Sequence, residues 1–168
     1  MSQLSLSLDS SLLVRDVAGD YRPANADEVL QAARRVLAEQ MRGCEALTSP
    51  QVVRDFLRVK LGTLEHEVFA VIHLDAQNRV IDYVEMFRGT VSQTSVYPRE
   101  VVKEALARNS AALLLVHNHP SGVAEPSRAD ELLTQTLKSA LALVDVRVLD
   151  HLIVAGSAIL SFAERGLL

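Results

Sequence analysis

The stretch Ala111-Ala112-Leu113-Leu114-Leu115-Val116-His117-Asn118-His119-Pro120 reads as an apolar strand that runs without a break into two histidines and a turn. On extended backbone, residues two apart face the same side, so the Cα atoms of His117 and His119 lie roughly 6.5–7 Å apart. Both rings can then lean toward one ion held at about 2.0–2.1 Å. Asp130, in the first turn of the next helical stretch, can supply a third ligand, and a fourth position left to water distinguishes a catalytic zinc site from a closed structural one. By alternation Asn118 points the other way and reads as a turn residue or a support for the ligands.

Working outward, the order is helix, helix, hairpin, helix, strand, helix, strand, which implies an α/β fold with a sheet flanked by helices. Residues 1–24 carry little periodicity and read as an extended arm. Asn25 followed by Glu28 marks a helix start, with Val29, Leu30, Ala33, Val36, Leu37 and Met41 at helical spacing. Ser49-Pro50 opens a second helix with the stripe Val52, Val53, Phe56 and Leu57, closed by Gly62. These helices, residues 25–62, read as a segment preceding a domain at 63–168, with the boundary near Leu61 to Leu64. Strands are expected from Glu67 to Leu74 and from Val80 to Phe87, joined by the turn Asp75-Ala76-Gln77-Asn78. A helix from Pro98 to about Arg108 turns Val101, Val102, Ala105 and Leu106 inward, and one from Ser127 to about Leu143 precedes a strand from Val146 to Ala155. Gly156 then sets off a short segment from Ile159 to Phe162.

With 17 basic against 21 acidic residues, the formal charge of −4 gives no general footprint for nucleic acid. Arg34, Arg35, Arg42, Arg54, Arg58 and Lys60 read as a solvated helix surface. Cys44 is the only cysteine, which excludes an internal disulfide and a cysteine-rich zinc site and reads as a buried thiol. No apolar run approaches the roughly 20 residues needed to span a bilayer, and Met1 to Ser11 lacks the pattern of a secretory signal. A cytoplasmic protein with no membrane partner is expected.

Hydrolysis at such an ion also needs a base. Glu67, at the start of an apolar strand, is the candidate, with Glu65 as its rival on the same face and Glu85 and Glu100 as weaker alternatives. Ser127-x-x-Asp130 has the form of a capping box, a role compatible with the Ser127 hydroxyl donating to an oxyanion. His66, His73 and His151 read as structural, the Asp150-His151 step being either a buried hydrogen-bonded unit or one that orients the site. Gly89-Thr90 and Arg99 are candidates for lining a substrate cleft. Two imidazoles and a carboxylate also suit iron, cobalt or manganese, with Zn2+ the default.

Glu67, His117-x-His119-Pro120 and Ser127-x-x-Asp130 together resemble the JAMM (MPN+) metalloprotease signature. Phe87-x-Gly89-Thr90, Tyr97-Pro98-Arg99-Glu100-Val101, His117-Asn118-His119-Pro120-Ser121-Gly122 and Asp150-His151-Leu152 resemble its bacterial RadC branch, from about residue 46 to the C-terminus, most closely the short RadC-like proteins of prophages. The contiguous His-Asn-His differs from HNH nucleases, whose named residues are dispersed through a ββα finger. The resemblance implies a JAB/MPN architecture, a curved mixed sheet between helices as in cytidine deaminases. It also implies metal ligands at His117, His119 and Asp130, an oxyanion serine at Ser127 and a general acid/base at Glu67. The implied activity is zinc-dependent hydrolysis of a peptide or isopeptide bond in a protein or peptide substrate. The alternative is a DNA-repair or recombination accessory protein that binds metal and DNA with little proteolysis.

Overall fold

The structure is a computed structural model that describes residues 12–46, 49–89 and 95–168. Residues 1–11, where a leader was sought, and Thr90 lie outside them. The described chain begins with a two-stranded antiparallel hairpin, β1 (Leu13–Arg15) and β2 (Tyr21–Pro23), where an extended arm was expected. Leu13 and Tyr21 are exposed, so the hairpin has no buried face to impose an apolar period.

Helix α1 (Ala26–Met41) starts at the capping box foreseen in the sequence. The Asn25 side chain accepts the Glu28 N–H, and the Glu28 carboxylate accepts the Asn25 N–H. Arg22 also clasps Glu28 at 2.9 and 2.6 Å, which ties the hairpin to the helix. Helix α2 (Pro50–Leu61) follows, and Val53, Phe56, Leu57 and Leu61 form its buried stripe.

The remaining elements are β3 (Val68–Leu74), β4 (Val80–Arg88), α3 (Pro98–Ala107), β5 (Ala112–Asn118), α4 (Arg128–Ala142), β6 (Arg147–Ala155), β7 (Ala158–Ser161) and α5 (Phe162–Arg165). Five strands form one mixed sheet in the order β4-β3-β5-β6-β7, in which β5 and β6 are parallel and the other pairs antiparallel. Every residue of β3 and β5 is buried, because helices cover both faces.

On one face α2 packs its stripe against Val68, Ala70, Ile72, Leu114, Val116 and Leu152, with Leu37 and Ala38 of α1 behind it. The expected boundary near Leu61 to Leu64 therefore falls inside a shared core. Gly62 makes the close approach possible, since a Cβ there would stand 2.5 Å from the backbone oxygen of Gly156. On the other face, Val101 and Ala105 of α3 and Leu137 and Leu141 of α4 cover Phe69, Val71, Leu113 and Leu115. Leu106, expected inward, is 52% exposed, because α3 buries a narrow row at i and i+4. Cys44 is half-buried at the edge of the first core rather than inside it. Among the described residues no helix is long and apolar enough to cross a membrane.

One irregularity matters for the site. Leu113 pairs with Val148 and Leu114 with Asp150, so β6 carries an extra residue at Leu149. The bulge reverses the alternation of β6 and turns His151 to the α4 face, opposite Leu115. Asp150 holds it there by accepting the His151 N–H at 2.7 Å, the Ser161 hydroxyl at 2.5 Å and the Ala163 N–H at 2.9 Å.

Candidate metal centre

Central strand β5 carries His117 to its C-terminal end on the α4 side of the sheet, where its ring is 2% exposed, and His119 follows as the chain leaves the strand. The His119 N–H donates to the Val154 carbonyl at 2.8 Å, so the second histidine is still held by β6. The turn through Gly122, at φ +77°, brings the Val123 carbonyl back to His119 Nδ1 at 2.8 Å. A carbonyl can only accept, so Nδ1 carries the proton of the neutral ring and Nε2 presents its lone pair. His117 Nε2 lies 2.9 Å from His119 Nε2.

Helix α4 completes the group. Ser127 accepts the Asp130 N–H at 3.2 Å, while Asp130 Oδ2 accepts the Ser127 N–H and hydroxyl, each at 2.7 Å. The capping box thereby clamps the carboxylate over the imidazoles. Asp130 Oδ1 is 3.3 Å from His117 Nε2, and Oδ2 is 3.6 Å from His119 Nε2. Donors about 2.0–2.1 Å from one centre at tetrahedral angles stand about 3.3–3.4 Å apart. The His117–His119 separation and the nearer Asp130 oxygen to each ring lie close to that edge. One donor atom from each residue falls within 4.8 Å of the others, so these three side chains could hold a single divalent ion.

The electrostatics agree with the fit. Burial pushes His117 down to about 4 against the attraction of Asp130, so this ring is a neutral lone-pair donor near neutral pH. Burial also pushes Asp130 upward, but the His119 contact and the two Ser127 donors outweigh it and hold the carboxylate well below its usual range. His119 is raised, chiefly by its contact with the Asp130 carboxylate. A proton and a metal ion are attracted there by the same negative field.

Glu67 enters from the position just before β3. The antiparallel register pairs Phe69 with His117, so Glu67, two residues before Phe69, lies across from His119 on the same face. Its charge acts on the His119 ring. Backbone contacts fix this position, since the Glu67 carbonyl accepts the Gly89 N–H at 2.8 Å. Asn118 accepts the Val68 N–H through Oδ1 at 2.8 Å and donates through Nδ2 to the His66 carbonyl at 3.0 Å. Beyond the last Phe69–His117 pair, the side-chain amide takes the place of a peptide group and prolongs the ladder on both sides of Glu67.

The rival acids are placed elsewhere. Glu65 is exposed in the bend before β3, Glu85 pairs with Lys60 at 3.0 Å, and Glu100 pairs with Lys103 at 2.8 Å. Arg99 is exposed on α3. His73 is buried with Nδ1 2.8 Å from the Ser110 hydroxyl, away from the cluster. His66 is half-buried, with its ring 3.5 Å from Arg88.

His151 joins the site rather than Asp150. Its Nε2 is 2.8 Å from His117 Nδ1, and its Nδ1 is 2.6 Å from the hydroxyl of Thr134 on α4. Burial pushes its ring well below the ordinary range, so it too is neutral. Thr134 was missed in the sequence, although its spacing of four from Asp130 puts both on one helix face.

The comparisons with known proteins agree with this architecture. The RadC-like JAB domain family matches residues 47–167. The chain belongs to this family. The RadC-like JAB match begins just before α2 and ends beside the C-terminus, so it takes in α2, the five-stranded sheet and every residue of the cluster. Similar RadC-family relatives include a UPF0758 protein of Leptothrix cholodnii, 62% identical over 150 residues, covering 89% of this chain and 68% of the relative. A UPF0758 protein of Aromatoleum aromaticum is 64% identical over 146 residues, covering 86% of this chain and 65% of the relative. One of Methylibium petroleiphilum is 57% identical over 167 residues, covering 95% and 75%. The chain thus spans about two thirds to three quarters of these relatives.

Proposed function

We propose that this RadC-like JAB domain is a zinc-dependent metallopeptidase that hydrolyses a peptide or isopeptide bond. The observation that carries the reading is the meeting of His117 Nε2, His119 Nε2 and the Asp130 carboxylate at one point, with Glu67 across the ladder from His119. When bound, zinc supplies a Lewis acid that polarises a carbonyl and lowers the pKa of water from about 15.7 to about 7.

The residues of the chain do the rest. His117 and His119 offer Nε2 because their Nδ1 atoms are engaged, with His151 and the Val123 carbonyl respectively. Asp130 offers a carboxylate oxygen from a rigid first helical turn. Glu67, the general acid/base, takes the proton of the attacking water and returns it to the departing amine. Ser127 orients Asp130 in the present arrangement, and its hydroxyl donates to a developing oxyanion after turning away from Oδ2.

A DNA-accessory role has less to rest on. Arg54 pairs with Glu164, Arg58 with Asp55 and Lys60 with Glu85, which leaves the N-terminal basic face partly neutralised.

The deciding experiment is elemental analysis of protein purified without chelator, paired with a peptide and isopeptide library. Zinc near one per chain and cleavage of a library member are expected. Glu67→Gln should keep the zinc and lose turnover, and a glutamine variant as fast as wild type would remove Glu67 from the proton transfer. Zinc-loaded protein that cleaves no member would overturn the peptidase assignment.

A further inference from the structure

Asp130 contributes more than its carboxylate to the cluster. Its backbone carbonyl lies 2.6 Å from the Thr134 hydroxyl oxygen. A carbonyl has no proton, so at this separation the hydroxyl proton must lie between the two oxygens. Thr134 has a single proton, and its contact with His151 Nδ1 at 2.6 Å must therefore be made with that nitrogen as donor. The proton of the neutral His151 ring is thereby placed on Nδ1. His151 Nε2 is left with a lone pair, which at 2.8 Å accepts from His117 Nδ1. The proton of His117 is placed on Nδ1 in turn, leaving its Nε2 bare.

The polarity of the whole chain follows from one backbone carbonyl. Were it reversed, His117 would carry its proton on Nε2, in the middle of the group that faces Asp130. Thr134 and His151 are fully buried, and His117 nearly so, so no water is at hand to satisfy a wrong tautomer. His151 reaches this position only because the β6 bulge turns it toward α4.

We infer that Thr134 and His151 are positioning residues whose hydrogen-bond chain from the Asp130 carbonyl fixes the proton of His117 on Nδ1 and aims its Nε2 lone pair at the metal position. The inference rests on the metal reading of the cluster for its consequence, but the tautomers can be measured without metal. Thr134→Val removes the hydroxyl at nearly constant volume. It lets the two imidazoles reverse, although the Thr134 hydroxyl bonds to the Asp130 carbonyl and His151 rather than to the Asp130 carboxylate, His117 or His119.

The test uses the full chain with 15N-labelled histidine. In wild type, metal-free, His117 and His151 should each show a protonated Nδ1 and an unprotonated Nε2 by 15N chemical shift. Thr134→Val should shift His117 toward the Nε2-protonated form and weaken zinc binding, measured against a chromophoric chelator, by about 10- to 100-fold. Thr134→Ser should restore both to near wild type. A second pair covers failure of the valine variant to fold: His151→Gln, which can accept from His117 and donate to Thr134, should retain more zinc affinity than His151→Leu.

Wild-type His117 found with its proton on Nε2 would overturn the relay. So would a Thr134→Val protein with wild-type tautomers and zinc affinity, or a His151→Leu protein that binds zinc as tightly as His151→Gln. Wild-type protein that takes up no zinc would instead reject the metal reading, and the tautomer measurement would still decide the relay.

Discussion

Replacing Asn118 by leucine tests whether one side-chain amide holds the start of β3, beside Glu67, in place. The substitution is close in volume and removes two hydrogen bonds, from the Val68 N–H at 2.8 Å and to the His66 carbonyl at 3.0 Å. A buried group that loses its partner costs roughly 1–3 kcal/mol. Val68 is 2% exposed and bears the full penalty, whereas His66 is half-buried and water can reach its carbonyl. The sum is about 2–4 kcal/mol, which for a chain of 168 residues corresponds to a fall in Tm of roughly 5–15 °C. Thermal unfolding gives the total, and amide hydrogen exchange gives the location, because protection at Val68 should collapse while Ile72, mid-strand, keeps its own. On the proposed chemistry, turnover should also fall, and that fall should vanish in a Glu67→Gln background while the stability loss remains. An Asn118→Leu protein with unchanged Val68 protection and a Tm within about 1 °C of wild type would refute the clamp.

Three further outcomes follow from the same structure. Free zinc at 100 times its Kd should stabilise the fold by about 2.7 kcal/mol, a rise of roughly 5–11 °C in Tm, and His119→Ala should abolish the rise. An equal shift in that variant would reject His119 as a ligand. His73, lowered to about 4 by burial and then by the charge of Arg108, is neutral in the native state while the unfolded chain gains a proton below about 6.5. Its contribution is therefore whole above pH 6.5 and is lost as pH falls toward 4, by roughly 3 kcal/mol. Chemical denaturation across that window should show a shallower acid-side loss for His73→Gln, and parallel profiles would dismiss the linkage. Gly62→Ala should cost roughly 1–3 kcal/mol, since the added Cβ meets the Gly156 backbone at 2.5 Å and no rotamer can relieve it. An alanine variant with the wild-type denaturation midpoint would show that α2 can back away from the β6–β7 turn.

Local chemistry made much of this protein readable in one dimension. The capping boxes at Asn25 and Ser127, the proline at the start of α2 and the apolar runs of β3 and β5 act over four to eight residues, so their elements follow from sequence spacing. The His117, His119 and Asp130 set was legible for the same reason: two residues share a strand face, and the third sits in the first turn of the next helix.

What the spacing left open depended on contacts between distant segments. Glu67 and Glu65 share a parity, and only the pairing of Phe69 with His117 sets the first across from His119 and leaves the second exposed in a bend. An uninterrupted alternation along β6 would have turned His151 away from α4, and the bulge held by Asp150 reversed it. Thr134 gained its role from a partner 17 residues away, and the apolar stripe of α2, legible in its spacing, acquired its partners on β3, β5 and β6 only in the folded chain. Periodicity determines which residues share a face of one element, but register, bulges and helix docking determine which faces meet.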